Sequence, residues 1–135
     1  MQPNVDILVN CFNGEKYLSH ALESISSQTY SNWRVIFIDN CSTDNSANIA
    51  KNFKGNIFYY KTDKNLSLGE ARKIGVELVD ADFLAFLDCD DIWMPNKLSE
   101  QMNIMKDNRL ALTYSGMNFI DRNHRLIGHY KPLKK

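Results

Sequence analysis

Apolar and polar positions fall in alternating blocks along the chain, and each block carries the period of one kind of element. "VDILVN" (Val5 to Asn10) is a short strand, and "EKYLSHALESISSQ" after it sets Leu18, Ala21, Leu22 and Ile25 at helical spacing. "WRVIFID" (Trp33 to Asp39) is a second strand of β-branched and aromatic residues, and "NCSTDNS" supplies natural caps for a helix starting near Asn45. "NIFYYK" (Asn56 to Lys61) predicts a third strand, followed by "NLSLGEARKIGVELV", a helix with Leu68, Ala71, Gly75, Leu78 and Val79 along one stripe.

"DFLAFLD" is the fourth strand, and its near-continuous apolar content suits burial on both faces of a parallel sheet. After "DIWM", Pro95 fits the first turn of a helix running through Leu98, Met102 and Met105. "ALTYSGMNFI" and "HRLIGHY" read as short strands, with a hairpin around Asp121 to Asn123. Strand and helix alternating in this way predict an α/β fold: a Rossmann-like, mainly parallel open sheet flanked by helices, with right-handed crossovers. Ligands of such sheets bind outside the carboxyl ends of the strands, where the chain order reverses. The segments predicted at that edge are "NCFNGE", "DNCSTDNS", the loop around "KNLSLGEAR" and "DCDDIW".

Length and charge narrow the picture. A chain of 135 residues suits one domain with one core, residues 1–135. Lys plus Arg equals Asp plus Glu at 16 each, so no global field attracts nucleic acid, and any partner is bound locally. "MQPNVDILVN" lacks the basic start and apolar stretch of a secretory signal, and no apolar run approaches the roughly eighteen residues of a membrane span. The expectation is a cytoplasmic chain with no transmembrane segment. Arg122, Arg125, Lys131, Lys134 and Lys135 follow Asp121 near the end, as a solvated tail or as a contact with phosphates or a membrane surface. Cys11, Cys41 and Cys89 form no C-x-x-C pair, which predicts reduced thiols. All three follow predicted strands, so the fold could bring them to one sheet edge.

The candidate chemistry is acidic. The chain has neither G-x-x-x-x-G-K-[ST] nor G-x-G-x-x-G after its first strand, and no G-x-S-x-G elbow. Asp88, Asp90 and Asp91 instead crowd the end of the fourth strand, where mutual repulsion is costly unless water or a cation offsets it. Mg²⁺ or Mn²⁺ takes one or two carboxylates and completes its shell with phosphates and water, which Asp88 and Asp90 can supply. The alternative is a hydrated loop whose Asp91 starts the next helix. Asp39 can accept a hydrogen bond from the imino N–H of a base, with Asn40 and Ser42 nearby, or can close an Asx-turn. Arg72 suits phosphate or a planar base, or a surface ion pair with Glu70.

Taken in order, these pieces resemble the nucleotide-binding half of the family 2 glycosyltransferases with the GT-A fold. The likeness runs from "VDILVNCFNGEKYLSHALESISSQTYSNWRVIFIDNCSTDNS" through "KNLSLGEARKIGVELVDADFLAFLDCDDIWMPNKLSEQ". It implies transfer of a sugar from a nucleoside diphosphate donor, most often a UDP-sugar, to an acceptor hydroxyl of a glycan or lipid-linked glycan. By resemblance Asp39 recognises the base, the backbone of Asn10, Cys11, Phe12 and Asn13 lies with Glu15 and Asn40 near the nucleoside, and Arg72 stands on the donor side. Asp88 and Asp90 match the D-x-D pair, with Asp90 the direct ligand of Mg²⁺ or Mn²⁺ and Asp88 closer to ribose and metal-bound groups.

The chain departs from the pattern in three places. Asn10 to Asn13 stand where many relatives carry Pro-Thr-Tyr-Asn, and Asn40-Cys41 replaces a frequent Asp-Gly pair. The acceptor-binding half and its Glu-Asp base have no counterpart before "GHYKPLKK", so the resemblance implies a domain incomplete on its C-terminal side, with the catalytic base outside it. Asp121 and His124 are the nearby acid–base candidates, but they match no such motif. A second class of function stays open: a truncated, non-catalytic nucleotide-binding or self-association module, a homo-oligomer in which Trp93, Met94 and Met117 contribute apolar surface.

Overall fold

The computed structural model describes residues 4–132, so Lys134 and Lys135 of the basic tail lie outside the described residues. Two compact units divide the chain, Met1–Leu98 and Ser99–Lys135. The first contains β1 (Val5–Cys11), β2 (Trp33–Asp39), β3 (Ile57–Lys61) and β4 (Phe83–Asp88), all parallel, in the order β3-β2-β1-β4. Between them run α1 (Leu18–Ser26), α2 (Ser46–Lys51) and α3 (Leu68–Glu77). The predicted open parallel sheet is present, and β1, paired on both sides, is buried along its whole length.

The strand order fixes where the helices go. From β1 to β3 the chain advances in one direction, and β4 then returns to the far side of β1. Right-handed crossovers put α1 and α2 on one face and α3 on the other; α1 indeed meets α2, while α3 packs on β1 and β2. Leu8, Ile36, Ile38 and Ala71 form the core under α3, with Ile74, Leu78 and Val79 packed around them. Strand alternation leaves Ile7, Val9, Val35 and Phe37 for the opposite face, and on that side α1 buries Leu18, Ala21, Leu22 and Ile25. Each fully buried side chain of this size contributes about 1.5–3 kcal/mol.

Local chemistry sets the ends of the elements. Ser67 caps α3 through a reciprocal box: its hydroxyl accepts from Glu70 N–H, and the Glu70 carboxylate accepts from Ser67 N–H. Leu68, predicted on the buried stripe, is exposed at the first turn of that helix. The helix expected from Glu15 begins only at Leu18, because Gly14 and Glu15 are drawn into contacts with the loop after β2. Pro95 precedes α4 (Lys97–Ile104) instead of opening it: its carbonyl accepts from Thr29 N–H, and Lys97 N–H closes a turn on Met94. That start also leaves Asp91 too early in the chain to cap α4.

Helix α4 begins at the end of the first unit and runs into the second, which holds a hairpin of β5 (Met117–Ile120) and β6 (Leu126–Tyr130). Only the last four residues of "ALTYSGMNFI" form strand. At the turn, Asp121 Oδ1 accepts from Asn123 N–H and Arg125 N–H, and His124 takes a left-handed φ of 61°. Among the described residues, no helix is long and apolar enough to cross a membrane.

One buried charge ties the sheet together at its amino edge. Asp6, 0% exposed on β1, accepts from Arg34 Nε at 2.9 Å and Arg34 Nη2 at 2.6 Å on β2. It also accepts from the N–H groups of Asp80 and Ala81 just before β4, at 2.9 and 3.2 Å. Burial pushes its carboxyl up, but the Arg34 guanidinium and the two amides outweigh that and hold it below its ordinary 3.8. The lowered value means that Asp6 stabilises the fold fully above pH 3.8 and that this contribution is lost as pH falls below it.

Two outcomes are expected. Asp6→Asn should cost about 1.5–3 kcal/mol in denaturant unfolding at neutral pH, and the deficit relative to the parent should shrink as the pH is taken below 4. An unchanged deficit across that range would count against the ionised pair. Gly75→Ala should cost about 1–3 kcal/mol, since its Cβ would lie 2.2 Å from Cδ1 of fully buried Leu8. Gly69→Ala, with open space around it, should cost nothing.

Candidate functional site

The carboxyl edge of the first unit is built from two interlocked loops. After β1, the N–H groups of Asn13, Gly14 and Glu15 donate to Ser42 Oγ, Ser46 Oγ and Asp44 Oδ2 at 2.9–3.1 Å. In return, Thr43 N–H donates to Asn13 Oδ1 and Asn45 N–H to Glu15 Oε2, both at 2.8 Å. Asn13 takes a φ of 51°, a conformation asparagine tolerates better than most residues. Asn13 and Glu15, both predicted near the nucleoside, thus have side chains committed to holding the loop after β2.

Asp39 and Asn40 lie deeper. Asp39 is 0% exposed; Oδ1 accepts from Ser42 N–H at 2.8 Å and Oδ2 from the Tyr59 hydroxyl. Burial, then that bond to Asp39, raises the Tyr59 phenol well above its ordinary range, so its proton stays on oxygen. Asn40, also buried, donates to Asn65 Oδ1 and the Leu66 carbonyl, and accepts from Leu66 N–H and the Thr62 hydroxyl. It binds the loop before α3 to the end of β2. Above it opens a pocket of about 210 Å³ whose walls include Asn10, Phe12, Asn40, Asn65, Leu66 and Leu68.

The acids stand where the strand order reverses, between β1 and β4. Asn10 is paired in register with Asp88, the last residue of β4. Arg72 of α3 donates from Nη2 to Asp88 Oδ1 at 2.8 Å and lies over the Phe86 ring at 5.8 Å. Among the described residues, Asn10 Oδ1 and Arg72 Nε are buried without a hydrogen-bond partner, an unused acceptor and donor at one edge. Asp88 and Asp90 are exposed, and partial burial followed by their two charges pushes the Asp91 carboxyl up. The two exposed carboxylates beside it create a negative potential that a cation would relieve.

Behind the acids, the chain is pinned to the end of α1. Trp93 N–H donates to Ser24 Oγ, Gln28 Nε2 donates to the Met94 carbonyl, and Leu98 N–H donates to Gln28 Oε1. Trp93 is itself buried, so it serves the core, while Met94 is exposed. Two of the three cysteines also meet at this edge: the Cys89 thiol donates toward Cys11, lowering the Cys11 pKa and raising its own. Cys41 stands apart at a left-handed φ of 62°.

All ten predicted site residues lie on this carboxyl edge. Asn10, Cys11, Phe12 and Asn40 line the pocket, Arg72 and Asp88 are joined, and Asp90 stands beside them in sequence and exposed. Sequence reasoning missed Tyr59, Ser46 and Asn65, whose contacts run between segments 20 or more residues apart and carry no local signal. No group of three or more His, Cys, Asp or Glu poised to hold a metal occurs among the described residues. Asp88 and Asp90 offer a sparse pair of carboxylates, while the sulfur of Cys89 between them is turned toward Gly14 and Cys11. That fits Mg²⁺ or Mn²⁺, which keeps phosphate and water oxygens in its shell, and does not fit zinc.

An open parallel α/β sheet of this kind takes its ligands at the switch point, where this chain gathers acids and an arginine. The sequence model described as glycosyl transferase family 2 matches residues 6–133, and the chain belongs to that family. An uncharacterised glycosyltransferase of Methanocaldococcus jannaschii is 32% identical over 98% of this chain and 48% of its own length. The Escherichia coli UDP-Glc:α-D-GlcNAc-diphosphoundecaprenol β-1,3-glucosyltransferase is 30% identical over 97% of this chain and 52% of its own. The chain thus spans about half the length of these relatives. In fold it is similar to S. aureus TarS (residues 1–349) in complex with UDP-GlcNAc, with a TM-score of 0.75 and 24% identity over 81% of this chain and 32% of that one. A Pyrobaculum calidifontis mannosyltransferase in complex with GDP-Man and Mn²⁺ gives 0.73 and 16% identity over 90% of this chain and 36% of that one. The architecture is that of the GT-A glycosyltransferases.

The left-handed Cys41 gives one stability test. A β-carbon in that conformation costs roughly 1–2 kcal/mol that glycine does not incur, less the entropy glycine loses on folding. Cys41→Gly should therefore raise stability by up to about 1 kcal/mol in a denaturant titration; a loss of stability would show that its side chain is needed there.

Proposed function

We propose that this chain is the donor-binding half of an inverting glycosyltransferase that takes a nucleoside diphosphate sugar, most simply a UDP-sugar, together with Mg²⁺ or Mn²⁺. The carrying observation is the Arg72–Asp88 pair, set across from Asn10 at the point where the strand order reverses. The E. coli relative's name includes UDP-Glc, and the two structural neighbours were solved with UDP-GlcNAc and with GDP-Man and Mn²⁺, which supports the same ligand class here.

In this reading Asp88 and Asp90 hold the ion, with Asp90 the direct ligand. When bound, the ion offsets the diphosphate charge that builds as the sugar leaves. Arg72, oriented by Asp88, offers its guanidinium to the phosphate oxygens, with Nε still unused. The nucleoside enters the pocket beside Phe12 and Asn10, whose unpaired Oδ1 is available to it. Asp39 is shielded by Ser42 and Tyr59, so its contact with the base requires the loop after β2 to open. Asp121, occupied by two amides of the hairpin turn, is a poor general base. The base that deprotonates the acceptor hydroxyl of a glycan or lipid-linked glycan is assigned to sequence beyond these residues.

A second reading, self-association, is favoured by the exposure of Met94, Met117, Leu126 and Ile127. Light scattering separates the two, because a monomer that binds nucleotide leaves the second reading without support.

Calorimetric titration with UDP in Mn²⁺ should show binding that disappears with chelator and weakens by about tenfold or more in Asp90→Asn. Binding indifferent to both would remove the metal from the site.

A further inference from the structure

Cys11 ends β1, and Cys89 follows the last residue of β4, one step beyond the in-register pair Asn10 and Asp88. Neighbouring strands run about 4.8 Å apart, inside the 4.4–6.8 Å separation of Cα atoms that a disulfide spans. Both sulfurs also point the same way. A Cβ built at Gly14 would lie 2.8 Å from Cys11 Sγ and 2.9 Å from Cys89 Sγ, so the two thiols converge under a residue that must stay small. They differ in access: Cys11 is 1% exposed, while Cys89 is only half-buried.

We propose that Cys11 and Cys89 form an oxidisable dithiol whose disulfide ties the Asp88–Asp90 turn to the end of β1. Hydrogen peroxide oxidises one of the two sulfurs to its sulfenic acid, releasing water. The other sulfur then displaces the hydroxyl group, forming the S–S bond and a second water; the two sulfurs give up two electrons, and the O–O bond takes them. The bond draws the sulfurs together and fixes the turn that carries both acids. Its effect on donor binding rests on the proposed function, whereas its formation does not.

The intact chain, treated with hydrogen peroxide and then digested without reductant, should yield a peptide pair joined through Cys11 and Cys89, with the mass of two hydrogens lost. Cys89→Ser and Cys11→Ser should each abolish the pair, and Cys41→Ser should leave it. Circular dichroism of the serine variants, matched to the parent, keeps loss of the pair distinct from loss of the fold. UDP titrated in Mn²⁺ against the oxidised chain should show weaker binding than against the same sample after dithiothreitol. Free Cys11 and Cys89 after oxidation, or a bridge to Cys41, would overturn the proposal. So would a Cys11–Cys89 bridge that leaves a measurable UDP affinity unchanged. A reduced chain that binds no UDP while the bridge still forms would defeat the donor-binding reading and sustain the dithiol.

Discussion

The Asp6 carboxylate is the constraint from which the rest of the sheet can be followed. A full charge without solvent is tolerable only if every nearby donor turns toward it. Those donors come from β2 and from the residues leading into β4, so three strands are held at one height on their amino side. With Val5 set against Trp33 and Phe83, register along parallel strands carries the alignment to the opposite edge. There Cys11 stands beside Asp39, and Asn10 beside Asp88.

At that opposite edge the loops spend their polar groups on each other before any ligand arrives. Side chains of Asn13, Glu15, Ser42, Asp44 and Ser46 accept from backbone N–H groups that would otherwise face water, joining the two loops into one rim. What stays available is concentrated on the other side of β1, in Asn10, Arg72, Asp88 and Asp90. The polar groups that the loops spend on each other and those left unpaired, Asn10 Oδ1 and Arg72 Nε, thus lie on different parts of one edge.

Much of this was legible in the sequence. In the first unit the strands show as short apolar runs and α1 and α3 as apolar stripes at helical spacing, while α2 shows only through the capping residues before it. The hairpin around Asp121 followed from its turn residues, and the position of the ten site residues followed from topology alone. Asp6 was invisible: one acid in an apolar run says nothing about which arginine or amides it will meet. The burial of Asp39 was hidden for the same reason, since Tyr59 lies on another strand and only pairing β2 with β3 brings it near. Pro95 and the late start of α1 misled because loop-to-loop hydrogen bonds outweighed local helix preference.

The close approach of α3 to β1 at Gly75 works as a spacer of fixed thickness. Arg72 sits one turn earlier on the same helix, so the height of its guanidinium above the sheet is set by how near the helix can come to Leu8. A methyl group at Gly75 would act as a shim, lifting the helix and tilting the charge it carries away from β4. The reach of that guanidinium is thus graded by a residue that never touches it, and changes in side-chain volume deep in the core become changes in aim at the surface.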